Sequence, residues 1–444
     1  MALSTDENRL LTEVGPGTMM GNLLRRYWTP ACLSSELAKP RTQVRVRLLG
    51  EDLVAFRDRE GKLGLLEEHC PHRGASLYYG RNEMECGLRC VYHGWKFDTT
   101  GQCTDMPSEA RSFAASIKAT SYPTRESGGI VWTYMGPPET MTPFRDFGSD
   151  NLPESEIHAS KIITHCNWVQ TLDGNIDTVH ASFLHQFNAI VEERDDDTDR
   201  PGYPSIRTSV RLKRSGTTPR LEVHDDWYGF RYAGLRTTPN GHTHARISTY
   251  IIPYATQIAT IPFATRQLLV VPIDDHSAWR YNYIAQDPHL ENPRNVSDGS
   301  SRSVTGNPYR RYPQGDGIQE RLFTVENEYG IDRDVQNDLG PGGTFSGIPD
   351  HNSQDYMVTE TMGPIYDRTK EHLGTTDLAI VRFHTLLLQA AKGLAEGKEP
   401  PAVAADLDYR GIRAAEKILE AGEDWRRLGT NDDPIVQEAL AQRA

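Results

Sequence analysis

Four metal-ligand residues at a distinctive spacing constrain this chain more than any other feature. Cys70 and His72 form a C-x-H knuckle, and Cys90 and His93 form a C-x-x-H knuckle further along. Two thiolates on one iron and two imidazoles on the other are the ligand set of a Rieske [2Fe–2S] cluster, in which neutral imidazole raises the reduction potential. The spacing therefore predicts an electron-transfer centre that accepts electrons from an NADH-linked carrier and passes them on.

Structural zinc is the alternative for two cysteines and two histidines. Zinc fingers usually pair the cysteines in one knuckle and the histidines in another, whereas here each knuckle carries one of each. Gly74 and Gly94 follow the two histidines closely. Glycine lets the backbone approach a cluster, and N–H groups near the sulfurs tune its potential. The pattern favours the iron–sulfur cluster over zinc.

The length of the chain exceeds what an iron–sulfur domain requires. A Rieske domain needs about a hundred residues, and this chain has 444, enough for two or three domains. The formal net charge of −13 argues against nucleic acid or anionic lipid as a partner. A second functional domain is therefore predicted beside the electron-transfer centre.

Cysteine usage and hydropathy predict a cytoplasmic protein. Two of the six cysteines are assigned to iron, and the other four are irregularly spaced, as expected in a reducing compartment. The N-terminus lacks the basic and apolar regions of a signal peptide. No apolar run approaches the length that spans a membrane. We therefore expect a cytoplasmic location and no membrane partner.

Three regions are predicted along the chain. They are an N-terminal helical segment over residues 1–45, an all-β Rieske domain over 46–150 and a catalytic domain over 151–444. Alternating apolar and polar residues over 43–58, with a turn at Gly50, predict a β-hairpin. Prolines from 137 to 143 mark the boundary near 140–155.

The catalytic region is predicted to begin with a helix over about 164–186. Strand-like runs follow over 205–285, and the Gly-, Pro- and Ser-rich stretch 286–350 is predicted to be a long loop. The clearest C-terminal helix begins at Asp377 and extends to about Ala391. The element pattern predicts an α+β fold for the whole chain.

A second set of ligand-type residues lies in the predicted helix 164–186. Asp173, Asp177 and His180 share one face at 100° per residue, but His185 lies about 140° from His180 on an ideal helix. Both histidines can reach one metal only where the helix is broken or bulged. We therefore predict a helix defect between His180 and His185.

A carboxylate is needed to complete the facial triad of a non-haem Fe(II) oxygenase, which has two histidines and one acid. The candidate is Asp377, which follows a capping Thr-Thr pair and precedes a helix with an apolar stripe. Its alternative role is to complement the helix dipole. Asp173 could ligate instead, although its backbone lies about 10 Å from that of His180 at 1.5 Å per residue. Taken without the other motifs, His180 and His185 are equally consistent with being two ordinary polar side chains on an amphipathic helix.

With these motifs the chain resembles the catalytic α subunit of Rieske non-haem iron ring-hydroxylating oxygenases. More narrowly, it resembles the phthalate dioxygenase group, whose oxygenase has a single subunit type. The resemblance covers nearly the whole chain. It is carried by the segments 14–18, 24–28, 70–77, 90–98, 362–365 and 371–374.

The resemblance implies an all-β Rieske domain beside a helix-grip catalytic domain, in which an antiparallel sheet curls over a helix. It also implies a homotrimer, or two stacked trimers, in which the cluster of one subunit lies near the mononuclear iron of its neighbour. In such trimers an aspartate bridges a ligand histidine on each side. Asp177 matches that position and would join His93 of one chain to His180 of the next.

The chemistry implied by the resemblance is oxygenation of an aromatic ring. An NADH-dependent reductase supplies single electrons to the [2Fe–2S] cluster, which passes them to mononuclear non-haem Fe(II). With substrate bound, Fe(II) activates O₂, and both oxygen atoms enter the ring to give a cis-dihydrodiol. Asp177 would be the residue that connects the two centres.

The substrate implied by the resemblance is an aromatic carboxylate, such as a phthalate- or isophthalate-type diacid or a substituted benzoate. Arginine pairs both oxygens of a buried carboxylate. Arg207 and Arg246 lie on polar faces of strand-like runs and are the candidate substrate-binding residues. Such faces are usually solvated, which is the alternative for both. Two arginines would suit a dicarboxylate better than benzoate.

Three other functions share parts of this pattern. A Rieske monooxygenase that removes an O-methyl group or cleaves an aryl ether uses the same metals, and the sequence barely separates it from a dioxygenase. A Rieske electron carrier would need neither the second iron site nor this length. A regulatory relative that had lost the chemistry is disfavoured by the full ligand set.

Overall fold

The structure is a computed structural model of one chain. It describes residues 2–83, 87–148, 157–186, 201–202, 204, 208–209, 212, 218–259, 265–285, 309–311, 317–340, 342–404, 406–434 and 436–437. No helix in these ranges is both long enough and apolar enough to cross a membrane.

The N-terminal third contains two short helices and three small antiparallel sheets. The helices are α1 (Thr5–Thr12) and α2 (Met19–Leu24), and the strands are β1 (Trp28–Leu33), β2 (Gln43–Leu48), β3 (Glu51–Arg57), β4 (Leu63–Glu67), β5 (Arg81–Glu83), β6 (Gly87–Arg89), β7 (Lys96–Phe97), β8 (Cys103–Asp105), β9 (Thr124–Ser127) and β10 (Ile130–Tyr134). The sheets have the strand orders β1-β10-β9, β2-β3-β4 and β5-β6-β7-β8. All pairings are antiparallel, so the all-β prediction for the region of the first metal motif is confirmed.

The predicted hairpin over 43–58 is confirmed by the pairing of β2 with β3. Its turn is formed by Leu49 and Gly50, which both have positive φ. The segment 1–45 is not wholly helical, because it also supplies β1. Every residue of that strand is buried, and its apolar side chains pack while its backbone pairs with β10.

The rest of the chain is built on an eight-stranded antiparallel sheet. The strands of this region are β11 (Ile157–Thr164), β12 (Arg220–Asp226), β13 (Gly229–Thr237), β14 (Thr243–Ile251), β15 (Ala255–Gln257), β16 (Thr265–Pro272), β17 (Ala278–Ala285), β18 (Tyr309–Arg311), β19 (Gln319–Arg321) and β20 (Ala415–Leu419). The sheet order is β11-β17-β16-β15-β14-β13-β12, and β20 pairs with the first half of β14. The helices of this region are α3 (Trp168–Ile176), α4 (Arg333–Asn337), α5 (His351–Thr361) and α6 (Leu378–Ala395).

One face of this sheet supports the helices, and we call it the helix-side face. Side chains directly opposite each other in an antiparallel pair lie on the same face. The register places Phe230 opposite Tyr250, and the ring of Tyr250 packs on Phe383 of α6 at 4.9 Å between centroids. The same register places Arg246 on this face, two residues along from Ser248. The sheet therefore presents a continuous surface to α6 and, further along, to the end of α3.

The predicted helix over 164–186 is shorter than expected. Helix α3 ends at Ile176, where Asp177 takes an extended conformation, and a separate 3₁₀ turn spans His180–Ser182. The C-terminal helix is confirmed: α6 begins at Leu378, one residue after the expected start, and extends past the expected end.

Helix α3 is held by a buried ion pair network. Asp173 accepts a hydrogen bond from Nη2 of Arg368 at 2.7 Å and lies 2.8 Å from Nε2 of His384 in α6. Arg368 is fully buried. Removing one partner of such a network leaves an uncompensated buried charge, so these contacts hold α3 against α6 and Arg368.

Parts of the chain discussed from sequence lie outside the described residues. They are Arg207 and most of 286–316. The remainder of the predicted loop 286–350 is not structureless, because from residue 317 onward it contains β19 and α4.

Candidate functional site

Two matching turns hold the first metal motif. In each, the backbone N–H of a glycine donates to the carbonyl of the cysteine four residues earlier, at 2.8 Å from Gly74 to Cys70 and 3.0 Å from Gly94 to Cys90. Both glycines have positive φ, +74° and +76°, which side chains with a Cβ rarely adopt. The two knuckles therefore present their ligand side chains from equivalent backbone turns.

The side chains of the first motif converge as a metal cluster requires. The thiols of Cys70 and Cys90 are in hydrogen-bonding contact and almost fully buried, and the rings of His72 and His93 lie 4.4 Å apart at the partly exposed edge. Burial raises the pKa of the Cys70 thiol to about 11, so a bound cation is needed to stabilise the thiolate. Trp95 stacks on His72 at 4.3 Å and restricts its rotation. Paired buried thiols and paired outer imidazoles fit a Rieske cluster.

The second metal motif is formed where α3 ends. The carboxylate of Asp177 accepts the backbone N–H of Val179 at 2.7 Å and that of His180 at 3.3 Å. An aspartate that accepts these N–H groups stabilises a turn in place of the next helical turn. The predicted defect in the helix is confirmed, and it brings the rings of His180 and His185 to 5.1 Å.

A third ligand meets the two histidines from a distant part of the chain. Oδ1 of Asp355, in α5, lies 3.1 Å from Nε2 of His185 and 3.8 Å from Nε2 of His180. Among the described residues, these three form a group whose ligand atoms all lie within 4.8 Å of one another. Two imidazole nitrogens and one carboxylate oxygen are the donors of a facial triad, so the group fits Fe(II).

Hydrogen bonds on the outer nitrogens set the tautomer of each histidine. Nδ1 of His180 lies 3.3 Å from Oδ2 of Asp177, and Nδ1 of His185 lies 2.6 Å from Oε1 of Gln354. Gln354 donates its amide N–H to the carbonyl of Ile348 at 2.8 Å, which leaves Oε1 as the acceptor toward His185. Each Nδ1 therefore carries the proton, and each Nε2 lone pair points toward Asp355 for metal binding.

The carboxylates of Asp355 and Asp177 give the site the negative charge that a bound metal cation requires. Burial opposes ionisation of Asp355, but interaction with the two imidazoles in their protonated form outweighs it, and the pKa of Asp355 lies below its usual range. A bound metal ion would take the place of the proton on Nε2 in that interaction. The same balance holds at Asp177, where burial is outweighed by the hydrogen bond with His180 and the pKa is lowered. Both carboxylates are ionised near neutral pH, one beside the metal position and one behind a ligand histidine.

The carboxylate assigned from sequence, Asp377, is not the one that meets the histidines. Its Oδ2 accepts the backbone N–H of Gly374 at 2.6 Å, at the 3₁₀ turn that leads into α6. Asp377 therefore has the local role at the helix start that was its alternative. Asp173, the second candidate, is engaged by Arg368 and His384. The carboxylate that lies beside the two histidines as a potential metal ligand is that of Asp355.

Sequence reasoning missed Asp355 because it lies directly after the stretch assigned to a long loop. Asp350 caps α5 by accepting the N–H groups of Asn352 and Ser353, each at 3.1 Å. The sequence does contain a signal for this helix: Asp350 is a capping residue, and it is followed by His351, Gln354 and Asp355. A capped helix start with three polar residues in its first turn could have indicated a ligand there.

An open groove runs past the mononuclear site. It has a volume of 1040 Å³, and its walls include Asp177, His180 and Asp355. Phe183 and Phe345 also line it, in edge contact at 5.5 Å between ring centroids, and both are more than half exposed. The groove gives Asp177 an accessible surrounding that includes apolar side chains.

Of the two arginines predicted to bind substrate, Arg246 lies near the mononuclear site. It is 8% exposed and donates from Nη1 to the hydroxyl of Thr178, between Asp177 and His180. Its Nε lies 3.3 Å from the carbonyl of Ala259. Arg246 lies on the helix-side face of β14 and is buried there, so the solvated alternative does not hold for it, whereas Arg207 lies outside the described residues.

Two family models together match most of the chain. The model described as "Rieske [2Fe-2S] domain" matches residues 27–123, and the model described as "LigXa C-terminal domain like" matches residues 133–443. The first match contains the paired knuckles and the second contains the histidines and Asp355.

Curated relatives match over nearly the full length. The chain is 35% identical to the phthalate 4,5-dioxygenase oxygenase subunit of Pseudomonas putida, with 96% of this chain and 94% of the relative covered. It is 36% identical to the 3-chlorobenzoate-3,4-dioxygenase oxygenase subunit of Comamonas testosteroni, with 96% and 97% covered. It is 29% identical to the 5,5'-dehydrodivanillate O-demethylase oxygenase subunit of Sphingobium sp. (strain NBRC 103272 / SYK-6), with 91% and 84% covered.

The fold also matches solved structures. A crystal structure of dicamba monooxygenase bound to dicamba aligns with a TM-score of 0.54 at 18% identity, over 84% of this chain and 99% of that one. The α+β architecture predicted from sequence, an all-β Rieske domain beside a catalytic domain with an antiparallel sheet, is confirmed.

The assignment of Asp355 can be tested against Asp377. We expect Asp355→Ala to lose the mononuclear iron, because two imidazoles alone hold Fe(II) weakly, and Asp377→Ala to keep it. Iron analysis should give about two irons per chain in the first variant and about three in the second. The visible absorbance of the cluster serves as the control for folding in both. The opposite pattern would restore Asp377 as the ligand.

Gln354 should matter through the proton that it fixes on His185. We expect Gln354→Leu to weaken binding of the mononuclear iron about ten- to a hundredfold, the usual cost of losing such a partner. Gln354→Glu keeps an acceptor for Nδ1 and should retain the metal. Titration of the iron-depleted protein with Fe(II) measures both. Equal losses in the two variants would show that the acceptor does not orient the ligand.

Proposed function

The chain belongs to the family of Rieske non-haem iron oxygenases, in its phthalate dioxygenase group, and we propose that it cis-dihydroxylates an aromatic carboxylate. Members of the family are terminal oxygenases of the ring-hydroxylating or demethylating type that use O₂ on aromatic compounds. The proposed reaction consumes the arene, O₂, NADH and a proton, and it yields the cis-dihydrodiol and NAD⁺. We also propose residues 46–150 as the electron-carrying part and 151–444 as the catalytic part.

One observation carries this proposal: buried arginine on the helix-side face contacts the same turn that carries the metal ligands. Arg246 donates to Thr178, two residues before His180. A buried guanidinium favours an anionic, planar group that can accept two parallel hydrogen bonds. An aromatic acid held this way would present its ring to the turn that bears His180.

The residues around the metals have defined tasks in this proposal. When bound, the cluster relays single electrons and the mononuclear Fe(II) binds and activates O₂. Asp177 keeps the proton on Nδ1 of His180, and Gln354 does the same for His185, so each Nε2 stays available as a ligand. We assign to Asp177 the further task of connecting the two centres.

We propose that the two centres connect between subunits of a homotrimer, or of two stacked trimers. The tip that carries His72 and His93 also exposes Val91 and Tyr92, each by more than half. The groove beside Asp177 exposes apolar side chains of its own. Apolar surfaces next to each centre fit an interface between copies. In this arrangement the carboxylate of Asp177 would accept from His93 of the neighbouring chain.

The identity of the electron donor belongs to the same proposal. Relatives of this type are oxygenase components, which implies a separate protein that delivers electrons. We propose an NADH-dependent reductase that delivers electrons to the cluster from a surface of the Rieske region other than the His93 edge, because that edge faces the neighbouring subunit in the proposed trimer.

Demethylation or ether cleavage of an aromatic acid is the second candidate function. It is supported by the similarity to 5,5'-dehydrodivanillate O-demethylase, which extends over 91% of this chain. The same metal ligands serve both reactions, so the residues of the site do not separate them. The two functions differ in product and are separated by product analysis.

The proposed function predicts a dihydrodiol from an aromatic acid. Iron-replete protein would be supplied with NADH, a phthalate-type reductase and O₂, and products would be identified by mass spectrometry. The substrate panel is phthalate, isophthalate, terephthalate, benzoate, 3-chlorobenzoate, 3-phenoxybenzoate and a methoxybenzoate, with naphthalene as the neutral control. We expect a dihydrodiol from an acid and none from naphthalene. A demethylated or ether-cleaved product would favour the second candidate, and good turnover of naphthalene would contradict the acid preference.

Asp177→Asn should separate metal binding from electron transfer. Asparagine keeps the oxygen that accepts the Val179 N–H but loses the charge that favours a protonated neighbouring imidazole. We expect about three irons per chain to remain and product formation to fall at least about a hundredfold. The cluster should still be reduced by the reductase and fail to reoxidise with O₂ and substrate. Asp334→Asn, on the exposed helix α4, is the control. Loss of iron from Asp177→Asn would contradict the connecting role.

A further inference from the structure

A second buried arginine lies on the helix-side face beside Arg246. Arg236, in β13, is 3% exposed. The register places Arg236 opposite His244 and Arg246 opposite Gly234, so both arginines project from the same face of neighbouring strands. Because Gly234 has no side chain, a Cβ placed there would lie 3.7 Å from Nη1 of Arg236 and 3.5 Å from Thr178. The guanidinium of Arg236 therefore lies close to Gly234, the residue of β13 that is directly opposite Arg246 in β14.

Arg236 also reaches the turn that carries the metal ligands. Its Nη2 lies 3.5 Å from the hydroxyl of Ser182, in the turn His180–Ser182, and Arg246 contacts Thr178 just before that turn. The two guanidiniums therefore lie along one segment of chain, between residues 178 and 182. That segment positions the imidazole of His180.

The guanidinium of Arg236 is not satisfied within the described residues. Its Nε and Nη1 are buried and have no hydrogen-bond partner there. A guanidinium has five N–H donors, and leaving charged donors unpaired away from water is costly. The buried Arg231 of the same strand also has an unpaired Nε, but both of its terminal nitrogens donate, to the carbonyls of Arg426 and Leu428. The unpaired donors of Arg236 mark a position for an acceptor other than the described residues.

The charge around Arg236 is unbalanced. Burial lowers the pKa of Arg236 to about 10, with the neighbouring charge of Arg246 acting in the same direction, so Arg236 remains cationic at neutral pH. The carboxylate of Glu416 stabilises that charge but is itself 2.8 Å from Nε2 of His244. Glu416 lies directly opposite Arg246 in β20, so one buried carboxylate is shared by two buried guanidiniums, and an anionic ligand would supply the remaining negative charge.

We infer that Arg236 binds a second carboxylate, and that with Arg246 it makes the helix-side face of β13 and β14 a subsite for an aromatic dicarboxylate. This inference rests on the proposed function and narrows its substrate class. One carboxylate pairs with Arg246 and the other with the Nε and Nη1 donors of Arg236. A monocarboxylate would leave the charge of Arg236 uncompensated and bind less tightly.

Calorimetric binding to the anaerobic holoprotein tests the inference. The probes are phthalate, isophthalate, terephthalate and benzoate, and the variants are Arg236→Met, Arg236→Lys and the control Arg220→Met, on the exposed edge of β12. We expect the preferred diacid to bind Arg236→Met about tenfold or more weakly than the unaltered protein, the usual loss for a charged hydrogen bond, and benzoate to change little. Arg236→Lys keeps the charge without the fork and should be intermediate. Arg220→Met should bind like the unaltered protein.

The outcomes separate this inference from the proposed function. Undiminished diacid binding by both Arg236 variants, or equal losses for diacid and benzoate, would overturn the second carboxylate position while leaving an acid substrate intact. The second position is also overturned if the unaltered protein binds benzoate as tightly as every diacid. If none of the acids binds and none is turned over, the proposed function itself fails. Iron content and cluster absorbance confirm that each variant is folded and loaded.

Discussion

The mononuclear site depends on the hydrogen bonds that the Asp177 carboxylate makes at the end of α3. By accepting the N–H groups of Val179 and His180, it replaces the next helical turn with a tighter one and frees the chain to change direction. An unbroken helix would separate His180 and His185 by about 140° around its axis. With the break, their Nε2 atoms meet one oxygen of Asp355. The same carboxylate holds the Nδ1 proton of His180, so backbone shape and ligand orientation have one cause.

The residues recognised from sequence were those whose partners are near in the chain. The C-x-H and C-x-x-H knuckles form local turns, and the helix break follows from the angle between His180 and His185, so both could be predicted. Asp355 could not, because it meets the histidines only through the packing of α5 against α3, after an intervening sheet. Asp377 was preferred for its position at a helix start, and that local property is the role it has: it accepts the Gly374 N–H.

The arginine pair shows a second limit of sequence reasoning. Alternation along a strand indicates which residues share a face, and it placed Arg246 correctly on a polar one. It does not indicate which strands are neighbours or whether that face is covered. Arg236 joins Arg246 only through the antiparallel register of β13 with β14, in which Gly234 lies opposite Arg246. Both arginines are buried, and the turn after α3 contributes to their cover through Thr178 and Ser182. Register and layer order are properties of the assembled sheet, so the pair becomes visible only in the fold.

The metal ligands and the charged face come from different elements, and this explains how one framework can serve different substrates. The ligands lie on the turn after α3 and on α5, whereas the guanidiniums lie on β13 and β14. Among the described contacts, the turn and the arginines meet through the hydroxyls of Thr178 and Ser182.

A change of side chain on the sheet would alter the charge and shape presented to a substrate without moving a metal ligand. The curated relatives, whose names specify a phthalate, a chlorobenzoate and a dehydrodivanillate, vary in substrate over a chain of similar length. Substrate preference is therefore expected to follow the residues of the helix-side face, while the turn at Asp177 preserves the chemistry.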